Sequence, residues 1–198
     1  MKSLHLSLLL CGLFMVSGSP AARAQTGPEK GGHEWQIWTS GGYGVKGIAQ
    51  HTGVWSMGLL YGWVLTAPRG PGFLRGQFEY AVDAAPALLV FQPTGTAYGV
   101  AVSPITLKWN FDTHGSVVPY VDISSGTLFT NREASPGTSR INFMSSSALG
   151  MDFIGGKFTW SADVRFTHLS NWGLTSANPG INVVQLRLGV GLFTSRHH

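Results

Sequence analysis

A histidine and a serine lie two residues apart near the C-terminal end of the chain, in the segment FTHLSNWGL of residues 166–174. An imidazole can remove the proton of a serine hydroxyl and so activate it as a nucleophile. Side chains two residues apart lie on the same face of a strand, so His168 and Ser170 can approach each other. The pair is therefore either a catalytic dyad or only the polar end of a strand, depending on where the strand points it.

The first 24 residues have the features of a secretory signal peptide. Lys2 precedes an apolar segment at residues 4–16, and residues 22–24 read Ala-Arg-Ala, the small-x-small pattern of a signal-peptidase site. The alternative, a lipoprotein signal ending at Cys11, would need a small residue where Leu10 stands. We predict cleavage after residue 24, with residues 25–198 forming one domain. Cleavage removes the only cysteine, so we expect no disulfide and no cysteine metal site.

The charge content of the chain is low and weakly positive. Charged residues make up 11% of the sequence, less than half of the roughly 25% usual in soluble globular proteins. Of the 13 basic residues against 9 acidic ones, Lys2 and Arg23 would leave with the signal. No basic run or patch indicates a nucleic-acid partner. No stretch of 18 uninterrupted apolar residues is present, which argues against a helical membrane protein.

Alternation of apolar and polar residues explains this composition. Between Gly156 and Thr167 the even positions are apolar and the odd positions are polar, which predicts a strand with one face of each kind. Similar segments recur along the chain and are separated by turn-forming residues. They predict eight strands, at residues 33–46, 52–66, 73–84, 97–111, 116–129, 140–154, 157–170 and 182–193. The fourth changes phase near Ser103 and Pro104, where we expect a β-bulge.

An even number of strands of about ten residues, with aromatic residues near their ends, is typical of an outer-membrane barrel. We therefore predict an all-β protein, an eight-stranded antiparallel transmembrane β-barrel. The alternative is a lipocalin-like barrel with its polar face outside, but seven Trp and eleven Phe spread over the strands favour a lipid-facing exterior. The polar face would then line a lumen holding Arg75, Glu79, Asp83, Lys108, Asp163 and Arg187.

The alternation also predicts the direction of the histidine and the serine. His168 and Ser170 continue the apolar, even-numbered face of their strand and therefore point outward to lipid. A hairpin centred near Thr175 places Asn182 opposite His168, where its amide can fix the imidazole tautomer. Polar groups at the edge of the hydrocarbon region raise the free energy of the protein in the membrane, and they usually have a function. Asn171, or a backbone N–H of residues 171–173, could stabilise an oxyanion. The chemistry indicated is hydrolysis of a lipid ester.

The motif F-x-H-x-S-N-x-G-L resembles that of the outer-membrane lipid A 3-O-deacylases, the PagL family. The resemblance extends through the loop to Gly180 and into the following strand. It implies an eight-stranded barrel with its active site on the outer face and lipid A, or lipopolysaccharide, as substrate. It also implies that His168 is the general base, Ser170 the nucleophile, and Asn171, with the turn at Gly173, the oxyanion site.

One position departs from that family. Where its best-known member has a glutamate as the third triad residue, this chain has Asn182. An amide oxygen can accept the imidazole N–H but cannot stabilise an imidazolium by charge. A non-catalytic structural or adhesive outer-membrane barrel that retains the motif is therefore a second hypothesis. We expect no metal and no cofactor, because no set of residues has ligand spacing, and the sequence leaves a homodimer open.

Overall fold

The computed structural model describes residues 27–45, 51–176, 178 and 180–195, and the predicted signal peptide lies outside them. Within these residues eight strands form one closed antiparallel barrel in chain order. The strands are β1 His33–Gly44, β2 Gly53–Val64, β3 Gly76–Gln92, β4 Gly95–Phe111, β5 Val117–Thr130, β6 Ile141–Gly155, β7 Phe158–Ser170 and β8 Ile181–Thr194. The described residues contain no helix that is long and apolar enough to cross a membrane.

The predicted eight-stranded barrel is confirmed, and its two faces are those of a barrel in lipid. On β7 the outward residues Trp160 and Val164 are 63% and 56% exposed, while the intervening Ser161 and Asp163 are buried in the lumen. On the other strands, too, the outward positions are mostly apolar and exposed, whereas the buried inward positions carry polar side chains and an apolar cluster that includes Leu88, Val90 and Leu128. This orientation excludes the lipocalin-like alternative, in which the polar face would be outside.

The part of the lumen outside this apolar cluster contains charged side chains that pair with one another. Lys108 Nζ lies 2.9 Å from a carboxylate oxygen of each of Glu34 and Asp152. Two other buried cations are paired in the same way, Arg165 with Asp122 and Asp163, and Arg187 with Asp83. The prediction for Arg75 is wrong: it precedes β3 and its half-exposed side chain pairs with Asp112 at 3.0 Å, because the inward phase of β3 begins only at Gly76.

We expect Lys108→Met to lower the free energy of unfolding by about 3–5 kcal/mol, because it leaves two buried carboxylates without their cation. Arg75→Met is the matched control, since an exposed pair contributes at most about 1 kcal/mol. Denaturant titration of the folded barrel in detergent measures both values. Equal losses in the two variants would contradict the role assigned to the buried pair.

Two prolines within strands are accommodated by bulges. The predicted bulge near Pro104 is confirmed by a register shift between Val102 and Ile105. The third strand is longer than predicted, because it passes through Pro86 with a second register shift between Ala85 and Leu88 and ends only at Gln92. A bulge lets a proline stay in a strand, since the missing N–H then leaves no gap in the ladder.

The two ends of the barrel differ. His33 and Thr194 pair at one end, where the outward aromatic rings of Trp35, Tyr61 and Trp63 pack with centroids 4.2 and 4.4 Å apart. Aromatic groups of this kind mark the interfaces of membrane barrels. The loop between β7 and β8 lies at the opposite end, so the candidate residues are far from His33 and Thr194.

Candidate active site

His168 and Ser170 lie on the outer face of β7, as the alternation predicted. The odd-numbered residues of this strand are buried in the lumen, whereas Val164 and Phe166 are exposed on the outside. His168 and Ser170 follow on the same face at the loop end of the strand, and both are partly exposed. The pair is therefore accessible from the lipid side of the barrel wall and not from the lumen.

Asn182 is the direct cross-strand partner of His168, which confirms the predicted hairpin register. The imidazole Nδ1 lies 2.7 Å from the amide Oδ1 of Asn182. An amide oxygen only accepts hydrogen bonds, so Nδ1–H is the donor. This tautomer leaves the Nε2 lone pair available, which is the state that a general base for serine requires.

Ser170 is the next residue after His168 on the same outer face of β7. Two residues of strand separate the Cα atoms of His168 and Ser170 by about 7 Å on the same face. Among the described residues the Ser170 hydroxyl has no hydrogen-bond partner, so it can turn toward Nε2 or toward a substrate. Catalytic hydrogen bonds often form only once the substrate is bound.

Asn171 is fully buried and its hydrogen bonds shape the loop. Its Oδ1 accepts the N–H of Gly173 at 2.9 Å, its Nδ2 donates to Thr175 Oγ1, and its own N–H donates to Asn178 Oδ1 at 3.0 Å. In this geometry the carboxamide of Asn171 makes hydrogen bonds that stabilise the turn after Ser170. A direct contact of Asn171 or Gly173 with an oxyanion stays a prediction.

Trp172 is the unusual residue of the turn. Its φ is 48°, in the left-handed region that few side-chain-bearing residues adopt and that often marks functional sites. Its indole is 81% exposed and packs edge-on against Phe143, the cross-strand partner of Ser170, with ring centroids 5.6 Å apart. The backbone N–H of Trp172 has no hydrogen-bond partner within the described part of the chain. Trp172 has no role predicted from the sequence, because nothing in the pattern indicates a left-handed backbone at a tryptophan.

Gly180 borders the other edge of the imidazole. Its φ is 60°, and a Cβ added there would lie 3.1 Å from His168 Cε1 and 3.8 Å from Nε2. A side chain would thus be strained in its backbone and would press on the ring. The glycine keeps the edge that carries Nε2 free of the β7–β8 loop. The family resemblance extends to Gly180, but only the folded loop shows its contact with the histidine.

The arrangement as a whole supports nucleophilic chemistry by side chains alone. An oriented imidazole, a free hydroxyl two residues away and an unpartnered N–H in the next turn are the parts that acyl transfer requires. Among residues 27–45, 51–176, 178 and 180–195, no three His, Cys, Asp or Glu side chains come together in a group that could hold a metal.

The chain is similar to one enzyme family in sequence and in fold. The sequence matches the family of lipid A 3-O-deacylases (PagL) over residues 22–191. The fold is similar to a crystal structure of the outer membrane enzyme PagL, at a TM-score of 0.60 and 18% identity over 78% of this chain and 97% of the other. No curated protein sequence matches the chain at a significant level.

Two further solved barrels are similar in fold. The outer membrane protein OprG of Pseudomonas aeruginosa has a TM-score of 0.54 and 11% identity, over 86% of this chain and 99% of the other. The N-terminal β-barrel domain of OprF from the same organism has a TM-score of 0.54 and 15% identity, over 83% and 98%. Together with the apolar outer wall, these similarities show that the chain has the fold of an outer-membrane β-barrel.

Proposed function

This chain belongs to the lipid A 3-O-deacylase (PagL) family, and we propose that it is a serine esterase that removes the ester-linked 3-O-acyl chain of lipid A. The observation that carries the proposal is the hydrogen bond of 2.7 Å between His168 Nδ1 and Asn182 Oδ1 on the outer wall. It sets the imidazole tautomer needed to activate Ser170, on the surface where a lipid substrate would lie.

In the first half of the reaction His168 acts as base and then as acid. Its Nε2 takes the proton of the Ser170 hydroxyl as Oγ attacks the carbonyl carbon of the acyl ester. The tetrahedral intermediate collapses with cleavage of the bond to the sugar oxygen, and the imidazolium returns its proton to that oxygen. The deacylated sugar leaves, and the acyl chain is bonded to Ser170 Oγ.

The second half releases the acyl chain. His168 Nε2 takes a proton from water, which attacks the acyl-serine carbonyl, and then returns a proton to Ser170 Oγ as the fatty acid leaves. Asn182 holds the ring through both halves by accepting its Nδ1–H. Because an amide carries no charge, it orients the imidazolium without adding the Coulombic stabilisation that a carboxylate would give.

The turn at residues 171–173 supports the developing oxyanion. Asn171 and Gly173 were expected to form this site, and the hydrogen bond between Asn171 Oδ1 and Gly173 N–H fixes the turn. The backbone N–H of Trp172 has no partner among the described residues and lies two residues after Ser170, so we assign it as a donor to the oxyanion. A donor held in a fixed turn can stabilise the negative charge without reorganisation.

The outward site requires that the substrate lie beside the barrel in the bilayer. Phe166 and Val184 are the next apolar pair on the same face, and beyond them Val164 and Leu186 continue the wall away from the loop end. An acyl chain laid along these side chains would bring its ester to Ser170. The substrate class is therefore a membrane-resident acylated glycolipid, as the family implies.

Mass spectrometry of lipid A from bacterial cells with and without the protein tests the proposal. We expect the lipid A of expressing cells to lose one ester-linked acyl chain, with the free hydroxyl at the 3 position. Unchanged lipid A in cells that display the folded barrel would favour the non-catalytic alternative.

The reaction is expected to survive chelation. Ser170 and His168 supply both nucleophile and base, and among the residues that the structure describes no set of ligating side chains surrounds them. Deacylation by the purified protein should therefore keep its rate in EDTA. A loss of rate that Ca²⁺ restores would point to a different site.

Gly180→Ala is expected to lower the kcat of deacylation by up to about 100-fold. The added methyl group would contact His168 Cε1 at 3.1 Å and displace the imidazole from Ser170. Gly155→Ala at the end of β6 is the matched control, because a Cβ there meets no atom within 4 Å. A wild-type kcat in Gly180→Ala would show that the loop does not set the position of the ring.

A further inference from the structure

Three serine hydroxyls face the lipid beside the histidine. Ser125 on β5 and Ser145 on β6 are direct cross-strand partners, and Ser145 is in turn the partner of His168. Ser147 follows on the same face of β6, opposite Phe166. All three side chains are exposed. We call Ser125, Ser145 and Ser147 the serine patch.

The serine patch is not simply the edge of the apolar wall. On its loop side, Phe129 and Ile141 are a cross-strand pair with 45% and 41% exposure on the same outer face. On its other side, Val121 and Leu149 form the next exposed apolar pair. The three hydroxyls thus lie between two rows of lipid-facing apolar side chains. Contact with water does not by itself explain polar side chains at this position.

The opposite half of the barrel has no such feature. The outward positions of β2 from Trp55 to Trp63, of β3 from Phe78 to Phe91 and of β4 from Tyr98 to Trp109 carry apolar or aromatic side chains. Outward serines are thus concentrated on β5, β6 and β7, around His168. Their position indicates a function connected with the same site.

The hydroxyls of the serine patch have unused hydrogen-bonding capacity. Within the described part of the chain none of the three makes a hydrogen bond through its side chain. A hydroxyl that faces hydrocarbon without a partner is unfavourable, whereas a polar group of a bound lipid could satisfy it. The partner must come from outside the chain.

We propose that the serine patch binds the sugar backbone of the substrate glycolipid, through the hydroxyl and amide groups that flank its scissile ester. This inference rests on the proposed function, since Ser170 defines where the ester lies. Neighbouring strands are about 4.8 Å apart, so Ser125 on β5, at the far side of the patch, lies about 10 Å from β7. That distance matches the spacing between the polar groups of an amino sugar and its amide-linked chain next to the ester. Leu149 and the apolar wall on the side away from the β7–β8 loop would contact the acyl chains.

The test compares two substrates in the full-length barrel in detergent. The triple variant Ser125→Ala, Ser145→Ala, Ser147→Ala removes three hydroxyls, each able to make one hydrogen bond to the sugar. We expect kcat/KM for purified lipid A to fall at least about tenfold more than kcat/KM for a short-chain p-nitrophenyl ester, through a higher KM. Ser145→Thr, which keeps a hydroxyl, should retain most of the lipid A activity that Ser145→Ala loses.

Thr39→Ala is the matched control, because Thr39 is an exposed outward residue on β1 whose hydroxyl donates to the Ser56 carbonyl at 3.2 Å. It should change neither substrate's kinetics. Equal losses on the two substrates, or no loss on lipid A, would overturn the serine patch as a sugar site while leaving the deacylase intact. A wild-type protein that cleaves the simple ester but not lipid A would remove the proposed function and the patch together.

Discussion

Ser170→Ala and His168→Ala should each lower kcat for lipid A deacylation by about 10⁴- to 10⁶-fold, the range seen when a serine triad loses its nucleophile or base. Without the hydroxyl no acyl-serine can form, and without the imidazole Nε2 the proton of Ser170 has no acceptor. The two residues act as one unit, so the double variant should be no slower than either single variant.

Acyl release from purified lipid A, followed by mass spectrometry, measures these rates. Heat-modifiable migration on gels shows whether each variant barrel is folded, and Thr39→Ala is the control for loss of an outward hydroxyl elsewhere on the wall. Either active-site variant retaining near wild-type deacylation would contradict the assignment of the pair. A clear additional loss in the double variant would show that the two residues act separately.

Asn182→Leu should lower kcat strongly, with about 10⁴-fold as the upper guide from serine proteases whose third residue gives the wrong tautomer. The hydrogen bond of 2.7 Å to Oδ1 is the contact that holds the Nδ1–H tautomer of His168 in this structure. Leucine is similar in size but accepts no hydrogen bond, so the imidazole could rotate or move its proton to Nε2.

Asn182→Asp and Asn182→Glu test the opposite change, because they keep a hydrogen-bond acceptor for His168 and add a negative charge. Aspartate keeps the length of asparagine and adds a negative charge that stabilises the imidazolium, and glutamate is the residue of the family's best-known member. We expect both to match or exceed the wild-type kcat at neutral pH in the same lipid A assay. Wild-type activity in Asn182→Leu would instead mean that the site is a His168–Ser170 dyad or takes its third member elsewhere.

The placement of His168, Ser170 and Asn182 could be predicted because a strand has a period of two. Once Phe166 is known to face lipid, the next two even positions must face it too. The register followed from the hairpin, since a loop centred at Thr175 brings residues 168 and 182 together, as the structure confirms. These features depend on local pattern and chain geometry alone.

The length of the third strand could not be predicted in this way. Pro86 interrupts the pattern, and a proline in a sequence normally argues that a strand has ended. The bulge that lets β3 continue to Gln92 is stabilised by pairing with β4, which is a contact between distant residues. The exposed position of Arg75 likewise depends on where that pairing begins.

The conformation of the β7–β8 loop and the proximity of the serines in the patch also could not be predicted from the sequence pattern. Residues 171–180 have no period, so the buried carboxamide of Asn171 and the left-handed backbone of Trp172 arise from hydrogen bonds and packing within the loop. Ser125, Ser145 and His168 belong to three separate segments. They become neighbours only when the registers of β5, β6 and β7 are known.

The most direct test of the central claim is covalent labelling of the nucleophile. An alkyl fluorophosphonate, which reacts with activated serines, is incubated with the folded barrel in detergent, and the modified peptide is identified by mass spectrometry. We predict a single adduct on Ser170 that is slowed strongly in His168→Ala, absent in Ser170→Ala, and suppressed by excess lipid A. Deacylation that continues with Ser170 unlabelled, or an adduct on another residue that abolishes it, would contradict the account.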